Sequence, residues 1–162
     1  MACIIAVTAC NQQENRDVSA QFKGHAFPKA VGWVNDFTYL YSQPEADTLN
    51  SLITSHKNAT GNQISIVTIN DSIITSANLG DYSTTLFNAW GIGEKGKNNG
   101  VLLCIVPKAH LLQITTGEGL EKKLTNAECK HILDSIIAPE FKYSDYYTGT
   151  KNGILAIINE IK

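Results

Sequence analysis

Trp90-Gly-Ile-Gly-Glu-Lys-Gly-Lys-Asn-Asn-Gly-Val-Leu-Leu-Cys-Ile-Val106 sets an aromatic residue, a glycine-rich basic loop and an unbroken apolar run in succession. Within it, Gly91-Ile-Gly93-Glu-Lys-Gly96 spells G-x-G-x-x-G. That string marks a dinucleotide site only where a strand precedes it and a helix opens after it, so that the helix N-terminus faces the phosphates. Here the order is reversed. The segment before the loop has helical character, and the segment after it is a buried strand. Gly91 and Gly93 therefore read as a helix stop, and Lys95 to Gly100 as the turn into a central strand.

The remaining composition narrows the function classes. The 162 residues are 43% hydrophobic, enough for one domain with a sizeable core. A net charge of −2 gives no electrostatic footprint for nucleic acid. Arg16 is the one arginine beside twelve lysines, so the planar clamp favoured for phosphates is missing from the body of the chain. Cys3, Cys10, Cys104 and Cys129 form no C-x-x-C pair, which removes zinc-ribbon and thioredoxin-like readings. Cys104 and Cys129 read as buried thiols, with a disulfide between them left open for an exported chain.

Residues 1–10 are short and apolar, and the chain turns polar at Asn11. Val7-Thr8-Ala9-Cys10 resembles the end of a bacterial lipoprotein signal, whose cysteine becomes lipidated. On that reading 1–10 is a truncated signal-like segment, 11–30 a flexible tether, and 31–162 the domain. The expected place is the bacterial cell envelope, periplasmic or membrane-anchored.

Along the domain, Val31 to Tyr41 reads as extended. Ser42 with Glu45 forms an S-x-x-E box opening a helix to about Thr60, and Gly61 stops it. Gln63–Ile69 is a strand, Asp81 caps a short helix through Trp90, and Val101–Val106 is a buried strand. A tight turn at Pro107 to His110 returns the chain as Leu111–Thr116. Thr125 with Glu128 opens another helix, which Pro139 ends, and Ser144 or Asp145 caps a last helix to Ile161. The order β-α-β-α-β-β-α-α predicts an α/β fold, a three-layer α/β/α sandwich around a mixed, mostly parallel sheet.

Several blocks resemble the TPM domain family, which includes a thylakoid-lumen acid phosphatase and photosystem II repair proteins. They are Val34-Asn-Asp-Phe, Thr60-Gly-Asn-Gln-Ile-Ser-Ile-Val-Thr-Ile69, Leu86-Phe-Asn-Ala-Trp-Gly-Ile-Gly93, Lys97-Asn-Asn-Gly-Val-Leu-Leu103 and Thr116-Gly-Glu-Gly-Leu-Glu121, with Phe141 and Asp145-Tyr146. The resemblance spans roughly 31–161. It implies an α/β/α sandwich in an exported, often membrane-attached protein. Some members of the family are described as phosphatases, and some bind divalent cations, notably calcium. Asn126 stands where the family often has an aspartate.

Strand direction sorts the candidate residues. If 63–69 and 101–106 are parallel and 111–116 runs back, Glu118, Glu121, Asn98 and Asn99 share one sheet edge. Asp71 falls at the other edge and is set aside. Glu118 lies between two glycines, a loop in which carbonyls and a carboxylate can converge on a hard cation. The resemblance adds Glu121, Asp36 and Asp145. Each has a plain alternative: Glu121 as a solvated residue beside Lys122, Asp36 as a turn-former, Asp145 as a helix cap. Oxygen ligands without paired histidines favour Ca²⁺ or Mg²⁺ over zinc.

Two functions follow. The first is a divalent-cation-binding module, monomeric and tethered at a membrane through Cys10, acting on membrane proteins in assembly or maintenance of the envelope. The alternative is a metal-assisted acid phosphatase. The chain has neither a Cys-x₅-Arg loop nor an Arg-His-Gly or D-x-D signature, which places binding ahead of catalysis.

Overall fold

The computed structural model describes residues 6–7 and 18–162. Its strands are β1 (Ala6–Val7), β2 (Val34–Asp36), β3 (Gln63–Thr68), β4 (Gly100–Val106) and β5 (Leu111–Thr116), in the sheet order β1-β5-β4-β3-β2. β2, β3 and β4 are mutually parallel, β5 is antiparallel to β4, and β1 lies parallel to β5.

Alternation along the strands builds two cores. Ile64, Ile66, Val101, Leu103, Ile105, Leu112 and Ile114 face one side, under α1 (Gln43–Thr60) and the C-terminal helices. Val67, Leu102, Cys104, Val106 and Leu111 face the other side, under α2 (Leu79–Trp90). The result is the expected three-layer sandwich. Cys129 belongs to the first core and Cys104 to the second, so the sheet separates these thiols and they do not pair.

Both capping boxes form. Glu45 Oε2 accepts from the Ser42 amide at 2.8 Å, and Glu128 Oε2 accepts from the Thr125 amide at 2.9 Å. Gly61 closes α1 at φ 81°, a left-handed conformation that suits glycine.

Three sequence expectations need correction. The extended run expected over 31–41 is a strand only at Val34–Asp36, because the Asp36 carboxylate draws the Leu40 and Tyr41 amides back and folds 37–41 into a turn. Pro139 does not end the third helix. α3 (Asn126–His131) widens into a π-helical segment, Ile132–Ile137, and continues as α4 (Ala138–Lys142). The Ala138 amide bonds Leu133 O, five residues back, and this wider turn gives the proline ring room. Finally, part of the expected 11–30 tether is docked on the domain. Val18–Phe22 form a 3₁₀ turn, Phe22 and Phe27 pack on Tyr82, and Trp90 Nε1 donates to Pro28 O at 2.8 Å. Cys10 and its proposed lipid lie outside the described residues.

α5 (Tyr146–Ile161) packs closely on this kinked helix through Gly149 and Gly153. A Cβ at Gly153 would lie 2.5 Å from Ile137 Cδ1, and one at Gly149 would lie 2.8 Å from Phe141. No helix among the described residues is long and apolar enough to cross a membrane.

Candidate functional site

Adjacent, parallel β2, β3 and β4 step one way across the sheet, yet α1 and α2 cover opposite faces. The two crossovers therefore have opposite hands, and one departs from the right-handed rule. The chain leaves β2 toward one face and β3 toward the other. The crevice between their carboxyl ends is a topological switch point, the usual place for a ligand in an open α/β sheet.

Asp36 closes that crevice. Its Oδ1 accepts from the Leu40 amide at 3.0 Å and from the Thr68 hydroxyl, and its Oδ2 accepts from the Tyr41 amide at 2.9 Å. Thr38 Oγ1 bonds Thr68 Oγ1 at 2.8 Å and completes the network. Three of the carboxylate's roughly four acceptor positions are thus spent on the turn. Asp145 belongs to the same end of the sheet, where Phe141 and Tyr146 of the last two helices meet Ile105, Val106 and His110 around a cavity of about 20 Å³. Asp145 Oδ1 accepts from the Thr148 amide at 3.0 Å, the helix-cap role.

Asp71 also follows the carboxyl end of β3, as its position in the chain requires. Its Oδ2 lies 2.8 Å from His25 Nε2 and accepts from the Tyr82 hydroxyl at 3.4 Å. The His25 contact is close but poorly aligned, because that nitrogen makes no hydrogen bond of acceptable geometry. Burial and the Asp71 charge push the Tyr82 phenol above its ordinary value, so it stays a proton donor to Asp71.

The other two candidates lie at the amino end of β4. Gly117 N donates to Gly100 O at 2.9 Å, and Gly119 N donates to Asn98 O at 3.0 Å, extending the β4–β5 ladder past the strands. The two glycine loops touch backbone to backbone: a Cβ at Gly100 would lie 2.6 Å from Ile92 O. Asn99 locks them from behind. Its Oδ1 accepts from Glu94 N at 2.8 Å, and its Nδ2 donates to Gly61 O at 3.1 Å. Gln63 Oε1 accepts from Gly93 N at 2.9 Å. Asn99 is thus a structural clasp rather than a ligand.

These loops wall an open cleft of about 410 Å³, lined by Gly91 to Lys95, Asn98, Gly117 and Glu118 and by Phe87 and Asn88 of α2. Glu118 and Asn98 share it, as strand direction requires. Glu121 follows on the same edge but does not line the cleft. The four sequence candidates therefore do not form one centre. Seven-residue β4 separates Glu118 and Glu121 from Asp36 and Asp145 by roughly 20 Å, at about 3.3 Å per residue. Ordering the candidates by resemblance hid this separation, because a motif fixes chain position and not sheet edge. Among the described residues, no three His, Cys, Asp or Glu side chains are grouped to hold a metal ion.

Residues 34–160 match the TPM domain family. The chain belongs to this family. The solution structure of the N-terminal domain of a protein from P. gingivalis is similar to it at TM-score 0.71 and 27% identity, over 79% of this chain and 80% of that one. The N-terminal domain of a Corynebacterium glutamicum protein shares the fold at TM-score 0.62 and 13% identity, over 85% of each chain. Comparison with curated proteins finds no match.

In this TPM domain the G-x-G-x-x-G string builds the cleft wall at the C-terminal end of α2, whose partial negative charge favours cations. Glu94 is held ionised by the hydrogen bond and charge of Lys97, 2.5 Å away, which lower its pKa. The Glu118 carboxylate has no ion-pair or hydrogen-bond partner among the described residues. Burial pushes the Cys104 thiol up to about 12, which removes it as a nucleophile. The lining residues Asn88 and Ile92 were not singled out in the sequence. Their only signal is position, on the last turn of α2 and within the glycine loop.

Proposed function

We propose that this TPM domain is a divalent-cation-binding module whose ion sits in the cleft at Glu118. The observation that carries the reading is an unpartnered carboxylate between two glycines, in an open cleft at the negative pole of a helix. The residues present fit a hard ion. The polar lining is Glu118, the Asn88 and Asn98 amides and glycine-loop backbone, with no histidine or cysteine. One carboxylate supplies little charge, so Ca²⁺ or Mg²⁺ keeps most of its water there, with a dissociation constant of about 10⁻⁴–10⁻³ M. Membrane tethering through Cys10 in a bacterial envelope, and action on membrane proteins there, belong to the same proposal.

Following amide shifts of the whole chain through Ca²⁺ and Mg²⁺ titrations tests it. Saturable shifts at 91–98 and 117–119, abolished by Glu118→Gln, support the module. Shifts absent from these loops contradict it. Hydrolysis of a phosphate ester by purified protein, lost in Glu118→Gln, would favour the phosphatase alternative.

A further inference from the structure

The cleft is far larger than an ion. About 410 Å³ lies in the size range of small-molecule sites. A hydrated cation on one carboxylate fills a small part of it and leaves coordination positions open. The lining carries one further unmatched charge. Lys95 is exposed and has no ion-pair partner among the described residues, whereas Glu94 is already paired with Lys97. Phe87 and Ile92, each 9% exposed, add an apolar floor. One concavity thus holds a carboxylate, an ammonium, two amides and two apolar side chains.

We propose that the cleft binds a small carboxylic acid, its carboxylate shared between the Glu118-held cation and Lys95 and its carbon chain lying on Phe87 and Ile92. A single lysine balances one negative charge. Among the described residues no arginine is present to fork a phosphate dianion, so the carboxylate is the matched group. This inference rests on the cation reading above.

Calorimetric titration of the full chain with Ca²⁺, with butyrate, and with each in the presence of the other tests it. Butyrate should lower the apparent Ca²⁺ dissociation constant by about fivefold or more, and Ca²⁺ should tighten butyrate by the same factor, since coupling is reciprocal. Lys95→Met should remove the coupling and leave Ca²⁺ binding alone intact, because Lys95 is exposed and holds nothing in the fold. Glu118→Gln should remove both. Ca²⁺ binding unaffected by butyrate, or coupling that survives Lys95→Met, overturns the carboxylate inference and leaves the cation reading standing. No Ca²⁺ response under any condition overturns both.

Discussion

Gly119 packs its Cα against the carbonyl oxygen of Lys97, in a space no Cβ can enter. Gly117 is held in the same way by Asn98 O. These two contacts join the glycine-rich loop to the turn that carries Glu118, and they explain why both segments are glycine-rich without invoking a phosphate. Gly119→Ala and Gly117→Ala should each destabilise the domain by about 1–3 kcal/mol, the usual cost of overpacking. Urea unfolding measures this. A midpoint equal to wild type for both variants would mean that the loops are not in contact.

Asp36 and Asp145 are assigned structural work, and the two differ in size. Asp36→Ala leaves the Leu40 and Tyr41 amides and the Thr68 hydroxyl without their acceptor, an expected loss of roughly 1.5–3 kcal/mol. Asp145→Ala removes one helix cap, worth about 1 kcal/mol. Neither should alter Ca²⁺-induced shifts at Gly117 to Gly119. Loss of those shifts in either variant, under conditions where it remains folded, would return these residues to the cation site.

Stability should depend on pH through His56. Its side chain is buried on α1, and burial, with the Lys162 charge, lowers its pKa below the model value of 6.5. The unfolded chain therefore binds this proton more readily than the folded one. The contribution is fully present above pH 6.5 and is lost as pH falls from there through the folded value. A melting temperature that drops between pH 7 and 5, with a smaller drop in His56→Gln, is expected. Equal pH profiles for the two proteins would remove His56 from this role.

The elements with strong periods and closed caps were legible before the fold was known. α1 carries both its capping box and its Gly61 stop, and β4 is apolar throughout. The direction of β5 then follows from the short turn at Pro107 to His110, and this direction is what placed Glu118 beside Asn98. What was not legible depends on contacts between segments distant in the chain. Pro139 reads as a helix terminator unless the π turn beneath Gly153 is known. The extended reading of 31–41 fails because Asp36 finds Thr68, a partner 32 residues away. Phe22 and Phe27 are too few to show a period, so their docking on Tyr82 has no local signature.

That docking carries its own prediction. Phe22 is 4% exposed in the α2 core. Phe22→Ala should release the 18–28 segment, raising its amide hydrogen exchange by an order of magnitude or more while β3 and β4 remain protected. Unchanged exchange in 18–28 would show that Phe22 does not hold the segment.

The central claim is that the ion belongs to Glu118 and not to Asp36 or Asp145. Paramagnetic broadening by Mn²⁺, at substoichiometric concentration, tests it most directly, because the effect reports distance from the ion itself. The account predicts broadening centred on Asn98 and Gly117 to Gly119, with Asp36 and Asp145 sharp at roughly 20 Å. Broadening centred on Asp36 or Asp145, with the glycine loops sharp, would contradict it.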